Sequence, residues 1–413
     1  MSESVHNPYA TMQVRDFRFF ILARLFITVA VTIQAVAVGW QIYEITKDPL
    51  SLGLIGLAEA LPAIGVSLYA GHLADVVERK KIIMLCVVTL DFCSVALLFF
   101  TLNTGAFILA NGAFPIYAVI FVSGIARGFL TPANFSFMPQ LIERDLYQNA
   151  IIWNSTVWEG AALGGPMIGG LLIDAYGLTQ AYIVDVTLTI IAMVCYFLIP
   201  RKPLPPVSAE EKIWDKIKTG IKFVFSNQII LGAITLDLFA VLFGGAVALL
   251  PIFANEILHA GKMGFGALRS APSIGAILMA IYMTHNPIKK NMGKILLWCV
   301  AGFGFCMIGF GFSTSFWLSM ALLILSGMFD CVSVIARGTM IHILTPENMK
   351  GRVSAVNSIF VGSSNEIGAF ESGVAARALG TVRSVIVGGV LTLAVVSVTA
   401  WKAVKLRKLD SLS

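Results

Sequence analysis

Two uninterrupted apolar runs, residues 51–70 and 82–102, are joined only by Gly71-His72-Leu73-Ala74-Asp75-Val76-Val77-Glu78-Arg79-Lys80-Lys81. At ~1.5 Å of rise per residue, each run is about long enough to cross a ~30 Å hydrocarbon core as a helix. A spanning segment in lipid has to satisfy its own backbone, so the two runs are expected as antiparallel helices and the charged stretch as a tight loop between them. The three consecutive cations Arg79, Lys80 and Lys81 put that loop on the cytoplasmic side, where short Lys- and Arg-rich connections stay.

The rest of the chain repeats this design. It is 57% hydrophobic and 13% charged, with a mean hydropathy of +0.85, values that exclude an ordinary soluble domain and define a polytopic helical membrane protein. The net charge of +6 does not call for nucleic acid as a partner, because the cations lie in short loops and tails and not on one face. Cys86, Cys93, Cys195, Cys299, Cys306 and Cys331 all fall inside apolar runs without pairing or metal-type spacing, and read as free thiols packed as small hydrophobes. No short apolar core followed by a small-residue cleavage site marks the N-terminus, so no cleaved signal peptide is expected.

In chain order, residues 1–16 form a polar tail and 17–199 hold six apolar runs. Residues 200–227 change character: Arg201, Lys202, Lys212, Lys216, Lys218 and Lys222 are interrupted by Pro203, Pro205 and Pro206. This is a linker, and Ile213, Ile217, Ile221 and Phe225 recur in it every four residues, as in an amphipathic helix lying on the inner membrane surface. Six more runs fill 228–404, and 405–413 is a second polar tail. Cations cluster in every second connection, which gives twelve helices with both termini on the cytoplasmic side.

A gapless shift of 203 residues places Ser123-Gly124 on Ser326-Gly327, Ala133 on Ala336, Leu141 on Leu344, Asn154-Ser155 on Asn357-Ser358, and Gly165 and Gly170 on Gly368 and Gly373. Helices four and five thereby overlie ten and eleven. Two pseudo-symmetric six-helix bundles follow, with a path for a solute expected between them near the midplane.

Gly71, Leu73, Asp75, Arg79 and Lys80 fall on the signature G-x-L-x-D-(R/K)-x-G-(R/K)-(R/K) of the major facilitator superfamily, which the chain resembles. Two positions depart from it, with Val76 where a cation is usual and Glu78 where glycine is usual. The resemblance implies a gating role in which Asp75 faces the positive N-terminal end of helix eleven. An ordinary cytoplasmic loop would carry the same cations. Gly165-Pro166-Met167-Ile168-Gly169-Gly170 resembles the helix-five antiporter signature G-P-x-x-G-G, although the glycine that precedes it in the family falls on Ala161, next to Gly160. Close packing of a Gly-rich helix, bent at Pro166, is the plain alternative.

In the second half Leu236-Asp237-Leu238-Phe239, Gly244-Gly245-Ala246, the run from Leu249 to Ala254, and the run from Thr345 to Asn357 look like the bacterial branch of siderophore and drug exporters. The fold implied is all-α, the major facilitator fold. The activity implied is proton-coupled export of a small amphipathic molecule across the inner membrane by alternating access.

Charges at membrane depth carry the mechanism expected of such a chain. Glu59, Asp91, Glu159, Asp237, Asp330 and Glu366 fall near mid-span, opposed by Arg24, Arg127 and Arg337. An excess of buried acids has to hold protons or wait for a cationic guest. Arg127 matches the mid-helix-four arginine that the superfamily places beside its protonation site, which favours Glu59 and Asp91 as the acids of that site. Asp330 and Arg337 share a face but stand ~10 Å apart along the axis, so each needs a partner elsewhere, and Asp237 or Glu366 could supply one. Asp185 and Glu371 lie nearer the outer surface, where water would solvate them. For each acid a structural interhelical pair is the competing reading.

Gln34, Asn154, Trp158, Phe239, Asn357 and Asn365 could line an apolar cavity with a few hydrogen-bonding points; lipid-facing positions would show the same residue types. The partners expected are a small-molecule substrate, protons and the bilayer, with no cofactor, no metal and a monomeric chain. A nutrient importer on the same fold would keep the hinge and the repeat without needing the 165–170 run. A metal exporter of the ferroportin kind would need an acid in mid-helix one and a histidine in helix seven, both missing here. An enzyme would need a constellation such as H-E-x-x-H or G-x-S-x-G, and none is found.

Overall fold

The computed structural model describes residues 9–102, 108–203, 213–286, 288, 290–346 and 349–407. Side chains at 67–68, 71–72, 74–76, 213–217, 350–352, 354–355, 358–359 and a few other positions lie outside the described residues. Among the described residues all regular structure is helical. The long helices are α1 (Arg15–Thr46), α2 (Pro49–Val76), α3 (Arg79–Leu102), α4 (Phe114–Phe137), α5 (Tyr147–Tyr176), α6 (Leu178–Leu198), α7 (Gln228–Gly244), α8 (Gly261–His285), α9 (Met292–Phe312), α10 (Phe316–Leu344), α11 (Lys350–Leu379) and α12 (Thr381–Lys402). Among the described residues, ten of these helices contain a stretch long and apolar enough to cross a membrane. α5 and α11 have 30 residues each and carry several polar side chains within their length. They are the pair that the sequence shift superimposes, and their polarity comes from residues such as Asn154, Glu159, Asn357, Asn365 and Glu366.

The shift of 203 carries Tyr147 to Lys350 and Tyr176 to Leu379, the two ends of both helices. It also carries Gly177 to Gly380, the residues that stop α5 and α11, with φ of +86° and +89°. At each the backbone N–H closes the last turn, on Ile173 O in one case and Ala376 O in the other. A side chain at either position would be strained in that left-handed conformation. Close approaches repeat as well: a Cβ on Gly165 would overlap Thr32 of α1, and one on Gly368 would lie 3.0 Å from Leu242 O of α7.

By packing, the chain divides into two units, Met1–Val38 with Leu61–Ser208, and Gly39–Ala60 with Ala209–Ser413. In the first, α3 packs on α4 and α6, around a core that includes Phe17, Phe20, Ile83, Phe137 and Tyr196. In the second, α9 packs on α10 and α12, α8 on α10, and α7 on α11 and α12. Large apolar side chains left outside the cores, such as Phe92, Trp298, Trp317 and Trp401, suit a lipid-facing surface.

Two local features differ from expectation, and the linker helix adds a detail. The stretch 71–81 is not a loop over its whole length: α2 runs to Val76, α3 starts at Arg79, and only Val77 and Glu78 connect them. Between Leu73 and Val76 there is no glycine or proline to end α2 early. The seventh run is not one helix: α7 stops at Gly244, and Ala246–Leu249, Leu250–Ile252 and the π-turn Phe253–Ile257 follow. Gly244-Gly245 and Pro251 supply the breaks. The linker helix, Ile213–Ser226, presents Ile221 and Phe225 outward and buries Val224 against Ile230, Ile341 and Val353.

Candidate functional site

The first unit holds a polar group built on three helices. Gln34 of α1, 4% exposed, donates through Nε2 to Ser94 Oγ of α3 at 3.0 Å and to Asp185 Oδ2 of α6 at 3.0 Å. Asp185 is 1% exposed, and the Ser94 hydroxyl also reaches its carboxyl group. Asp185 is therefore not a solvated outer-surface residue; an α-helical position fixes depth but not direction, and this one turns inward. Its charged neighbours are Arg127 of α4 and Asp91 of α3. Asp91 is half-buried, and its Oδ1 is buried without a hydrogen-bond partner among the described residues. Arg127 and Asp91 both act on Asp185 electrostatically. Glu59, named beside Asp91 and Arg127 from sequence, belongs by packing to the segment 39–60 of the other unit. On the same unit as Asp91, Arg24 Nε donates to Asn154 Oδ1 at 3.3 Å. Trp158 and Glu159 are exposed.

In the second unit Arg337 of α10 forms an ion pair with Asp237 of α7, both 4% exposed. Asp237 is thus the partner that Arg337 needed. Asp330, exposed, shares a narrow crevice with Asp237, Phe303, Phe329 and Ser333, and Ser333 Oγ is buried with no hydrogen-bond partner among the described residues. Glu366 of α11 interacts electrostatically with Arg269 of α8, a cation the sequence reading did not count. Arg269 stands two turns into its helix, and an estimate of mid-span by position alone passes over it. The helices meet tightly here: a Cβ on Gly56 of α2 would lie 2.9 Å from Glu366 O. Asn357, at the position that the shift relates to Asn154, has a buried Oδ1 without a partner among the described residues. Phe239 and Phe243 stack, with ring centroids 5.9 Å apart. Asn365 is exposed and donates to Val361 O of its own helix at 3.2 Å.

The segment 39–60 is held within this unit by a second polar group. Tyr43, 1% exposed, donates its hydroxyl to Glu256 Oε1 at 2.7 Å and accepts from Asn255 Nδ2 at 2.8 Å. Trp40 packs on Phe265, and Lys47 Nζ sits 3.9 Å from the Tyr43 ring centre. Gly53 approaches α11 so closely that its Cβ would lie 3.0 Å from both Ala369 O and Gly373 Cα.

Of the hinge residues, Lys80 Nζ donates to Phe197 O at 2.9 Å and to Ile199 O, covering carbonyls that the end of α6 leaves unpaired. Glu78 pairs with Lys81 at 3.2 Å and Arg201 at 3.8 Å. Arg79 opens α3. The side chains of Gly71 and Asp75, and those around the N-terminus of α11, lie outside the described residues. On α5, Gly165 and Gly169 face α1, where a Cβ on Gly169 would lie 3.3 Å from Ile33 Cα, whereas Gly160 and Gly164 face open space. Pro166 lies inside the helix, and Gly170 is buried. Among the described residues no cluster of His, Cys, Asp or Glu is arranged to hold a metal.

Apolar helices carrying inward charges, in two units whose helices follow one repeat, define a secondary transporter of the major facilitator fold, spanning the membrane many times. The model of one branch of that superfamily, the transmembrane secretion effector, matches residues 6–413, and the chain belongs to this family. Over 347 residues it is 27% identical to the enterobactin exporter EntS of Shigella boydii serotype 18, covering 82% of this chain and 80% of that one. Among solved structures, a bacterial homologue of the human lysosomal transporter Spinster superposes with a TM-score of 0.72 at 13% identity, covering 95% of this chain and 97% of that chain. A bacterial homologue of the iron transporter ferroportin does so with a TM-score of 0.70 at 13% identity, covering 95% and 99%. The family and these relatives are transporters, not enzymes.

Proposed function

We propose that this protein is a proton-coupled exporter of the bacterial inner membrane that exchanges protons for a small amphipathic molecule, a siderophore or a drug, by alternating access. The observation that carries the reading is Asp185 of the first unit, 1% exposed and held by the Gln34 amide and the Ser94 hydroxyl with no ion pair among the described residues. A buried carboxylate without a full counter-charge costs several kcal/mol, whereas the same group protonated costs little, so such a site binds and releases a proton as its surroundings change. Export, and a catecholate siderophore as the first cargo to try, come from the likeness to enterobactin exporters. The 165–170 run on α5 agrees with antiport. The termini and the 71–81 connection are assigned to the cytoplasmic side by their cations. The working unit is a single chain, with protons, the cargo and lipid as its partners.

The test uses inverted membrane vesicles containing the protein and enterobactin as the probe. An imposed proton gradient drives enterobactin accumulation, and a protonophore abolishes it. Accumulation that ignores the protonophore removes the coupling. Equal rates in vesicles lacking the protein remove this cargo.

A further inference from the structure

We propose that Asp185 holds the transported proton and that Ser94 and Gln34 are its positioning residues; this deepens the proton-coupled reading above and rests on it. Asp185 is as completely enclosed as Asp237, yet the two are treated differently. Asp237 has the Arg337 guanidinium against it. Asp185 has only neutral donors, the Gln34 amide at 3.0 Å and the Ser94 hydroxyl, and no ion pair among the described residues. Two neutral donors suit a carboxyl group that alternates between acid and carboxylate. They hold its oxygens in place in both forms, since a hydroxyl can turn from donating to accepting while the amide keeps its position.

The other ionisable groups facing Asp185 are Tyr182 on its own helix, Cys93 and Asp91 on α3, and Arg127 on α4. Tyr182 and Cys93 are both enclosed, at 0% and 2% exposed. Asp91 and Arg127 are the groups that can change the occupancy of the site. Asp91 lies one turn before Ser94 on the same face of α3, with an oxygen that has no partner among the described residues. The step is a relay: the O–H bond at Asp91 breaks as its proton passes to the Ser94 oxygen, and Ser94 gives up its own proton to form the O–H bond at Asp185. The proton leaves by the reverse transfer when Arg127 draws close enough to favour the carboxylate. Cargo moves in the opposite direction.

The experiment uses the full chain in phosphatidylethanolamine–phosphatidylglycerol liposomes and has two readouts. Infrared spectra taken across a pH titration follow carboxylic-acid absorption without any cargo. A band present in the wild type is expected to disappear in Asp185→Asn, to remain in Asp185→Glu, and to shift its midpoint in Ser94→Ala, which leaves every carboxyl in place. In transport, Asp185→Asn is expected to keep enterobactin counterflow, which needs no gradient, while gradient-driven accumulation drops to the level of protein-free liposomes. Gradient-driven accumulation that persists in Asp185→Asn, or an unchanged midpoint in Ser94→Ala, overturns the assignment to Asp185 alone. A wild type that ignores the gradient overturns the proton-coupled reading and this inference with it.

Discussion

Arg337 and Asp237 illustrate what a buried charge requires. With both 4% exposed, removing either partner leaves the other enclosed and uncompensated, at a cost of about 3–5 kcal/mol. Arg337→Ala is therefore expected to lower the thermal midpoint of the purified protein sharply. Arg337→Ala combined with Asp237→Ala is expected to lower it less than the sum of the two single changes, because the double variant contains no orphaned charge. A double-mutant cycle read by thermal unfolding in detergent checks this. At the same scale, the sequence identified the inward acids Asp91 and Asp237 but misread Asp185 and overlooked Arg269. Both misses have one cause. In helices that are apolar nearly all round, no polar stripe marks which face turns inward, so position along the span says how deep a charge lies but not what it meets.

At the scale of the helix, glycines on α5 divide into two faces. Gly165 and Gly169 allow α5 to touch the α1 backbone, while Gly160 and Gly164 have nothing within 4 Å of where a Cβ would be. Gly165→Ala is expected to destabilise the protein by about 1–3 kcal/mol through overlap with Thr32. Gly164→Ala, one residue away, is expected to be neutral or slightly stabilising, since alanine is the better helix former. Thermal unfolding of the two variants side by side decides, and equal effects would show that the glycines serve helix flexibility and not contact. The glycine-rich run could be read from sequence as a packing helix, but the side on which each glycine lies could not. The ends of helices show the same limit. Gly177 and Gly380 are plain stop signals in the sequence, whereas the continuation of α2 to Val76 depends on the lack of a breaker in a stretch that a family pattern marks as a loop.

Taken whole, the molecule's repeat was the most legible feature, because a single register of 203 residues relates α4 and α5 to α10 and α11 and reappears in the ends of α5 and α11 and in their close contacts. What no register could show is that α1 and α2 each contribute to both packing units, with changes of membership at Val38/Gly39 and Ala60/Leu61. Beyond those points the segment 39–60 is fastened by Tyr43, Asn255 and Glu256, and by the bare approach of Gly53 to α11.

At each change of membership stands a residue that softens a helix. Gly39 lacks a side chain to stiffen its turn, and Pro62, one residue past the boundary, deprives the Ala58 carbonyl of its donor. A methyl on Gly39 would make only ordinary contacts, 3.5 Å from Phe265 Cζ and 3.9 Å from Pro251 Cγ. Gly39→Ala with Pro62→Ala is thus expected to raise the unfolding temperature while slowing cargo turnover in vesicles; turnover at the wild-type rate would show that the joint lies elsewhere. α1 and α2 therefore each carry one weakened turn, the first for want of a side chain at Gly39 and the second for want of a backbone hydrogen bond at Pro62.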